Sequence, residues 1–240
     1  MNPSGSVRRN VLVTGANRGI GLEFVRQLLR RGDHVVATAR APGKAAALNA
    51  LAGEHPGRLH VLPLDVADPK SHSALVAELP LVLGEDGRLD LLVNNAGVLH
   101  AGERFGAVAA SALADSLQVN AIAPFLLTQT LAPMLSDGAT VANISSQLGS
   151  IANCTRFGTP SYNISKAAQN MATRLLALAL AERGIAVLAL HPGWVQTDMG
   201  GEDATLEPRR AVEGLLATLE DAHRHEPGAF LDWKGERLPW

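Results

Sequence analysis

The chain has 240 residues, of which 47% are hydrophobic and 18% charged, a composition typical of a folded domain. Its formal net charge of −2, without a basic stripe, argues against a nucleic-acid partner, and its single cysteine, Cys154, excludes an intrachain disulfide. Its longest unbroken apolar run, at 175–181, is shorter than the ~20 residues that a membrane-spanning helix needs, and residues 1–9 are too polar for a secretion signal. We therefore expect a cytoplasmic protein with no membrane partner.

Short apolar runs alternate with longer amphipathic segments along the chain. Runs nearly continuous in Val, Leu, Ile and Ala are typical of parallel strands covered on both faces, and they predict strands at 10–14, 34–39, 59–63, 89–93, 139–144 and 185–190, with a weak seventh near 229–231. Helical spacing predicts helices at 19–31, 43–53, 69–83, 111–135 (one helix or two), 161–183 and 208–223. This alternation predicts an α/β fold, a single doubly wound Rossmann-type domain over residues 1–240 with a mostly parallel seven-stranded sheet.

A glycine-rich turn follows the first predicted strand. Glycines let the backbone approach a pyrophosphate closely, and the helix that follows offers free N–H groups and the positive end of its dipole. The motif requires a strand before it and a helix after it, and this sequence predicts both. We therefore predict dinucleotide binding rather than a plain turn, with contacts from Gly15, Asn17, Arg18, Gly19, Ile20 and Gly21.

The end of the second strand bears on which dinucleotide binds. An acidic residue there would hydrogen-bond the ribose 2′-hydroxyl of NAD. The sequence instead reads Ala37-Thr38-Ala39-Arg40, without a carboxylate. Arg40 and Arg18 could pair with a 2′-phosphate, with a solvated surface charge as the alternative for each. Together these features favour NADP(H) over NAD(H).

The motif Tyr162-Asn163-Ile164-Ser165-Lys166 opens the predicted long helix, where residues four apart share a face. A free tyrosine has a pKa of about 10, and a nearby ammonium lowers it, so Tyr162 beside Lys166 could act as a general acid or base. Tyr162 is also the only tyrosine of the chain. Taken alone, the short motif could still mark an ordinary helix surface.

Over nearly its whole length the chain resembles the short-chain dehydrogenase/reductase family. The resemblance rests on seven motifs in the family's order: the turn at 14–21, Leu64-Asp65-Val66, Asn94-Asn95-Ala96-Gly97, Val119-Asn120-Ala121, Ile144-Ser145-Ser146, Tyr162 to Lys166, and His191-Pro192-Gly193 with Thr197. The wide spacing between Ser146 and Tyr162, and the final Leu238-Pro239-Trp240, resemble the branch of C-factor and sniffer-type carbonyl reductases.

The resemblance implies a role for each motif. Ser146 would hold and polarise a substrate carbonyl, Tyr162 would deliver the proton, and Lys166 would hold the nicotinamide ribose and keep Tyr162 acidic. Asn120 would complete a proton relay through water. Further implied cofactor contacts are Asp65, Val66, Asn94, Ala96, Gly97, Pro192, Gly193, Val195 and Thr197.

Several of these residues have a structural alternative. Asp65 could begin the following helix, and Asn94 could be a turn former. Asn120 could mark a break between two helices. Ser145 competes with Ser146, which we favour because the family's serine usually follows directly on the position that Ser145 occupies.

Candidate pocket residues lie on loops beside the reactive group, with ordinary packing as their alternative: Leu148, Phe157, Trp194 and Met199. Apart from Arg156, no arginine or lysine stands out in these loops to bind a carboxylate, which favours a neutral, partly apolar aldehyde or ketone. Leu175, Leu176, Leu178 and Leu180 cannot all face one core. Because family members commonly associate through these helices, we expect a homodimer or homotetramer.

The sequence as a whole predicts an NADP(H)-dependent oxidoreductase that reduces a small carbonyl compound, or oxidises the alcohol, by hydride transfer and without a metal. The alternative is a dinucleotide-binding protein of the C-factor type, which acts in cell–cell signalling or regulation with little relevant turnover.

Overall fold

The computed structural model describes residues 8–84 and 87–240, so the polar segment at 1–7, where we expected no secretion signal, lies outside the described residues. Seven strands form one parallel sheet in the order β3-β2-β1-β4-β5-β6-β7. The strands are β1 (Asn10–Val13), β2 (His34–Ala39), β3 (Leu59–Pro63), β4 (Leu89–Asn94), β5 (Leu135–Ile144), β6 (Ala186–His191) and β7 (Phe230–Asp232). The doubly wound Rossmann-type fold is confirmed, including the weak seventh strand.

Within the described residues, seven α-helices connect the strands: α1 (Gly19–Arg31), α2 (Ala46–Glu54), α3 (Pro69–Leu83), α4 (Ala110–Leu117), α5 (Ala123–Leu131), α6 (Pro160–Ala179) and α7 (Pro208–Glu220). The segment predicted as one helix or two at 111–135 consists of α4 and α5, joined by a turn of π-helix, Gln118–Ile122. Helix α6 ends before the predicted residue 183, and a short 3-10 turn leads to Gly184, whose φ of 63° is left-handed. Glycine adopts this conformation without the steric cost that a side chain would bring.

The start of β5 differs from the prediction of 139. The strand begins at Leu135, which pairs with Leu89, and the Ser136 hydroxyl donates to an Asp90 carboxylate oxygen at 2.8 Å. The polar segment at 136–138 resembles a loop in the sequence. Contacts of Leu135 and Ser136 with β4 nevertheless place it at the start of β5.

The sheet is covered on both faces, which explains why its strands are almost continuously apolar. On one face Val11 and Val13 pack in a core cluster with residues of α1, α2 and α7, and on the other Leu12 packs with residues of α3, α5 and α6. Each fully buried leucine or valine of these clusters stabilises the fold by about 1.5–3 kcal/mol. The covered faces leave the strand ends as the open parts of the sheet.

The outer helices carry apolar residues that the fold leaves uncovered. Leu176 and Leu180 are buried, whereas Leu175 and Leu178 are 51% and 60% exposed, so these four leucines at the end of α6 indeed do not share one core. One helical stretch of the described residues, Ala110–Met134, is long and apolar enough to cross a membrane, and 33% of its most apolar 18-residue window is buried. Core helices of soluble proteins meet the same criterion, and counting unbroken apolar runs did not detect this stretch.

Candidate active site

The carboxyl ends of the central strands bring most predicted site residues to one edge of the sheet. Because all strands are parallel, the segments that follow β1, β4, β5 and β6 open at this edge, where ligands of doubly wound sheets bind. The site residues on it come from the glycine-rich turn, the loop after Asn94, the segment after Ile144 and the loop after His191.

The glycine-rich turn is tightly packed and leaves the first turn of α1 open. Gly15 and Gly19 have left-handed φ values of 61° and 54°, and a Cβ on Gly15 would lie 2.9 Å from the Ala96 Cα. The Asn95 amide braces the turn by donating to the Thr14 and Gly15 carbonyls at 2.9 and 3.1 Å. Helix α1 has no side-chain cap and no acidic residue in its first turn. Its N–H groups and dipole therefore fit an anionic group such as a pyrophosphate.

The two arginines predicted to recognise a 2′-phosphate are both exposed, and β2 ends without a carboxylate. Arg40 directly follows β2. Arg18 reaches across to the loop after β6, where its Nη1 donates to an Asp198 carboxylate oxygen at 2.8 Å. Arg18 is thus exposed at the carboxyl edge of the sheet, where it pairs with an acidic residue that sequence reasoning did not identify.

Asp65 does not begin the helix that follows it. Its carboxylate accepts from the Ala67 backbone N–H at 3.0 Å, within the loop after β3. The N-cap of α3 is Asp68, which accepts from the Lys70 N–H at 3.0 Å. The capping alternative for Asp65 is therefore wrong, and the exposed Asp65 lies in the loop at the carboxyl end of β3.

The side chain of Asn94 points away from this edge. Its Nδ2 donates to the Thr128 hydroxyl at 3.0 Å and to Asn143 Oδ1 at 2.8 Å, and Asn143 in turn donates to Thr173. This buried network joins β4 and β5 to α5 and α6. Both amide protons of Asn94 are therefore used within the fold, and its contact with a cofactor stays a prediction.

Asn120 lies in the π-turn between α4 and α5, so it does mark the break between two helices. Its Nδ2 donates to the Val98 carbonyl and the Ser165 hydroxyl, both at 2.9 Å, and its Oδ1 accepts from the Val98 N–H at 2.8 Å. The side chain joins the loop after β4 to α6. It also lies near the reactive centre, since a Cβ on Gly97 would be 3.2 Å from Asn120 Oδ1 and 4.0 Å from Lys166 Nζ.

Two adjacent serines at the end of β5 have different surroundings. The Ser145 hydroxyl donates to Asn170 Oδ1 at 2.6 Å and is buried. The Ser146 hydroxyl accepts from the Leu148 N–H at 3.2 Å and also interacts with the Tyr162 phenol, where it lowers the pKa of the phenol. Ser146 is therefore the serine that faces the reactive tyrosine.

Tyr162 lies in the first turn of α6, almost fully buried. Burial raises the pKa of Tyr162 to about 12, and the interaction with Ser146 offsets this only in part. We expected the Lys166 ammonium, 5.6 Å from the ring centre, to lower this pKa. That expectation is wrong, because desolvation of the phenolate is the largest influence and raises the pKa. A phenol that keeps its proton at neutral pH can still donate it to a strongly basic alkoxide.

Lys166 is buried beneath the tyrosine. Its Nζ donates to the Ile144 carbonyl at 2.7 Å and to Gln169 Oε1 at 2.9 Å. Burial lowers the pKa of Lys166 to about 7. The helix thus places a phenol and an ammonium one turn apart, both removed from water, at the carboxyl edge of the sheet.

The loop after β6 closes against the glycine-rich turn. A Cβ on Gly19 would lie 3.2 Å from Thr197 Cγ2, and the Thr197 hydroxyl accepts from the Gly200 N–H at 3.1 Å. Gly193 has a left-handed φ of 86°. The other predicted cofactor residues lie in segments at the same edge: exposed Asn17, partly buried Ile20 and Val66, and buried Pro192 and Val195.

The four candidate pocket residues are exposed rather than packed in the core, by between 37% for Leu148 and 56% for Phe157. Sequence reasoning missed Phe105, which is 89% exposed and packs edge to face with Phe157 at 5.7 Å between ring centres. It also missed Glu103, whose carboxylate accepts from the backbone N–H and hydroxyl of Ser161, next to Tyr162. For Phe105 the available signal was an isolated phenylalanine in a polar loop. No spacing rule connects Phe105 with Phe157, or Glu103 with Ser161.

Comparisons with known proteins identify the family. The family model described as short chain dehydrogenase matches residues 9–207, and the chain belongs to the short-chain dehydrogenase/reductase family. Its members are oxidoreductases, and the chain has carbonyl reductases among its structural neighbours.

Three similar proteins agree with the branch that the sequence resembles. The chain is 40% identical to C-signal of Myxococcus xanthus over 156 residues, which cover 64% of this chain and 94% of that protein. It is similar to the carbonyl reductase Sniffer of D. melanogaster, with a TM-score of 0.93 and 34% identity over 98% of this chain and 100% of that one. It is also similar to an NADPH-bound carbonyl reductase from chicken fatty liver, with a TM-score of 0.91 and 40% identity over the same shares.

Proposed function

We propose that the protein is an NADPH-dependent reductase of a small, neutral, partly apolar aldehyde or ketone, or oxidises the corresponding alcohol. The observation that carries this proposal is the buried arrangement of Ser146, Tyr162 and Lys166 at the same sheet edge as an open helix N-terminus. A protein that only bound a dinucleotide would not need a buried phenol close to a serine hydroxyl and a lysine ammonium.

In this reaction the hydride would come from the bound nicotinamide. The Ser146 hydroxyl would hold the carbonyl oxygen, and the Tyr162 phenol would give it a proton as the alkoxide forms. Lys166 would hold the nicotinamide ribose with the N–H that the protein does not use, and Asn120 would support a water that returns the proton. The alignment of these groups is the contribution of the fold.

Three features support NADP(H) as the cofactor. The edge offers exposed Arg18 and Arg40, it lacks a carboxylate at the end of β2, and a similar carbonyl reductase binds NADPH. The turn at 14–21 with Ala96 and Gly97 would hold the pyrophosphate and ribose, Asp65 and Val66 the adenine, and the loop from Pro192 to Thr197 the nicotinamide. Asn94 would contribute through its backbone, since its side chain is used within the fold.

The substrate would bind beside the exposed apolar residues of the loops that precede α6 and follow β6. Phe157 is exposed on the segment that precedes Tyr162, and Trp194 and Met199 are exposed on the loop after β6. The one cation of the segment before Tyr162 is the exposed Arg156. An apolar rim without a fixed cationic group suits a neutral substrate.

The test replaces the phenol. Tyr162→Phe should reduce NADPH-dependent reduction of a panel of aldehydes and ketones by about 10²–10⁴-fold, read as loss of NADPH absorbance. NADPH binding, read by fluorescence, should persist because the ring and Lys166 remain. A variant as active as the parent would remove the proposal.

A second candidate is a signalling or regulatory protein that binds a dinucleotide, favoured by the 40% identity to C-signal. This candidate predicts that the Tyr162→Phe variant supports the biological role in full. The enzyme hypothesis predicts that the variant loses that role. We further propose a cytoplasmic location, as the sequence led us to expect. We also propose a homodimer or homotetramer, because Met171, Leu175 and Leu178 form an exposed apolar stripe on α6. Sedimentation of the purified chain tests the assembly.

A further inference from the structure

The ammonium of Lys166 has an uncommon environment for a buried cation. It is 4% exposed, and among the described residues no carboxylate forms an ion pair with it. A buried charge is costly unless it is paired or hydrogen-bonded. Two neutral oxygens, of Ile144 and Gln169, therefore do the work that a carboxylate would otherwise do.

We propose that Gln169 is a positioning residue that keeps the Lys166 side chain protonated and oriented for its part in the reaction. The proposal rests on the proposed function for its kinetic consequence, although not for its effect on the lysine itself. Gln169 belongs to none of the motifs that the sequence analysis used.

The geometry fixes what the glutamine can do. Gln169 is 1% exposed and lies three residues after Lys166, on the same face of α6. An ammonium only donates hydrogen bonds, so the amide must present Oε1 to it, at 2.9 Å. The Gln169 backbone carbonyl also accepts from the Thr173 hydroxyl at 2.8 Å, which stabilises this turn of the helix without using the side chain.

The hydrogen-bond count explains why one acceptor matters. A lysine ammonium has three N–H protons, of which the Ile144 carbonyl takes one and Gln169 takes another. The third remains for a group outside the protein, which under the proposed function is the nicotinamide ribose. Without Gln169 Oε1 the ammonium would keep a single protein acceptor and could turn away from that direction.

The groups that surround the ammonium include one that titrates. Tyr162 lies on the same helix, with its ring centre 5.6 Å from Nζ. The loop after β4 contributes Gly97, the π-turn contributes Asn120, and the end of β5 contributes the Ile144 carbonyl, all of them neutral. The balance between charged and neutral lysine therefore depends on burial and on these oxygens, with burial lowering the pKa to about 7.

The test measures the titration of Lys166 directly. The chain has four lysines, and Lys44, Lys70 and Lys234 are exposed, so ¹³C-labelled lysine gives few NMR signals with three internal references. Loss of one signal in Lys166→Met assigns the buried lysine. The experiment uses the full chain without added cofactor, so it needs no activity.

Two substitutions at Gln169 should move the titration in opposite directions. Gln169→Leu has a similar volume and no acceptor, so it should lower the Lys166 midpoint by about one to two pH units. Gln169→Glu keeps an acceptor and adds a negative charge, so it should raise the midpoint. In carbonyl reduction, the fall of kcat at alkaline pH should move in the same direction in each variant, and the KM for NADPH should rise in Gln169→Leu.

The matched control is Asn170→Leu, which removes the neighbouring buried amide. Asn170 contacts Ser145 and the Gly149 carbonyl rather than Lys166, so its loss should leave the Lys166 midpoint in place. Equal shifts in both leucine variants, or no shift in Gln169→Leu, would overturn the proposal. If the proposed function fails because Tyr162→Phe is fully active, the NMR titration still decides the role of Gln169.

Discussion

The two ends of the parallel sheet use their polar groups differently. At the amino end these groups bind one another: Arg9 forms two hydrogen bonds with Asp33, and the Asp90 carboxylate accepts from the Asn10 backbone N–H and the Ser136 hydroxyl. At the carboxyl end the first turn of α1 lacks a side-chain cap, and arginines and large apolar side chains are exposed. At the amino end these polar groups are thus paired with one another. At the carboxyl end the uncapped helix and the exposed side chains can bind a ligand.

This difference separates stability from function within one sheet. Polar groups that satisfy each other stabilise the fold, whereas groups left open at a strand end can bind a ligand. Substitutions at the amino end should therefore lower the free energy of unfolding and leave the chemistry intact. Substitutions at the carboxyl end should lower the activity and leave the free energy of unfolding nearly unchanged.

After Tyr162→Phe, the largest effect is expected for the serine that faces Tyr162. Ser146→Ala should lower kcat for carbonyl reduction by about 10²–10³-fold, because it removes a donor to the developing oxyanion. Ser145→Ala is the matched control, since its hydroxyl is bonded to Asn170 in the interior. Steady-state kinetics and thermal unfolding of both variants provide the test. If Ser145→Ala had the greater loss of kcat, the assignment of the two serines would be reversed.

A smaller effect at the carboxyl end is expected on the affinity for the cofactor. Arg40→Asp should weaken NADPH binding by about 10–100-fold, because a charge-assisted hydrogen bond to the 2′-phosphate becomes a repulsion. NADH lacks that phosphate, so its Kd should stay the same or fall. Fluorescence titration measures both, with Arg224→Asp as an exposed control on the segment after α7. An unchanged preference between the two cofactors would contradict the role of Arg40.

At the amino end, Arg183 is expected to act on stability alone. Its guanidinium donates to the Ala132 and Leu135 carbonyls, both at 2.6 Å, and to Asp137 at 2.8 Å. Arg183→Met should lower the free energy of unfolding by about 1–3 kcal/mol, because two backbone carbonyls lose a charged donor. Urea unfolding measures this loss, and kcat at 25 °C should not change. A fall in kcat with unchanged stability would break the separation between the two ends.

The fold was predictable because its strands are buried on both faces. Continuous apolar runs located every strand, including the short one at 230–232, and helical periodicity located the helices. The errors fall where distant contacts decide. Polar Ser136 is in a strand because it bonds to Asp90, and no local pattern contains that partner.

The site was predictable where one element carries it. Tyr162 and Lys166 share a helix, so their spacing alone placed them together. The choice between Ser145 and Ser146 needed the direction of each side chain, and Asn94 needed the position of Asn143 on another strand. Such information lies in the packing of separate elements, beyond the reach of spacing rules.

The smallest effect concerns an ion pair that joins segments 180 residues apart, Arg18 and Asp198. Both side chains are largely exposed, so the pair itself is worth about 0.2–1 kcal/mol. If Arg18 contacts the 2′-phosphate, Asp198 competes with the cofactor, and Asp198→Asn should lower the Kd for NADPH by up to about fivefold without changing the Kd for NADH. Asp203→Asn, an exposed carboxylate of the same loop, is the control.

The opposite result would revise the carboxyl end of the comparison. Weaker NADPH binding in Asp198→Asn would mean that the carboxylate holds Arg18 in place for the phosphate, so that this end is partly closed on itself before the cofactor arrives. Raised salt separates the two cases further, because screening weakens an exposed ion pair. Under competition, the difference in NADPH affinity between Asp198→Asn and the parent should shrink as salt rises, although overall binding weakens in both.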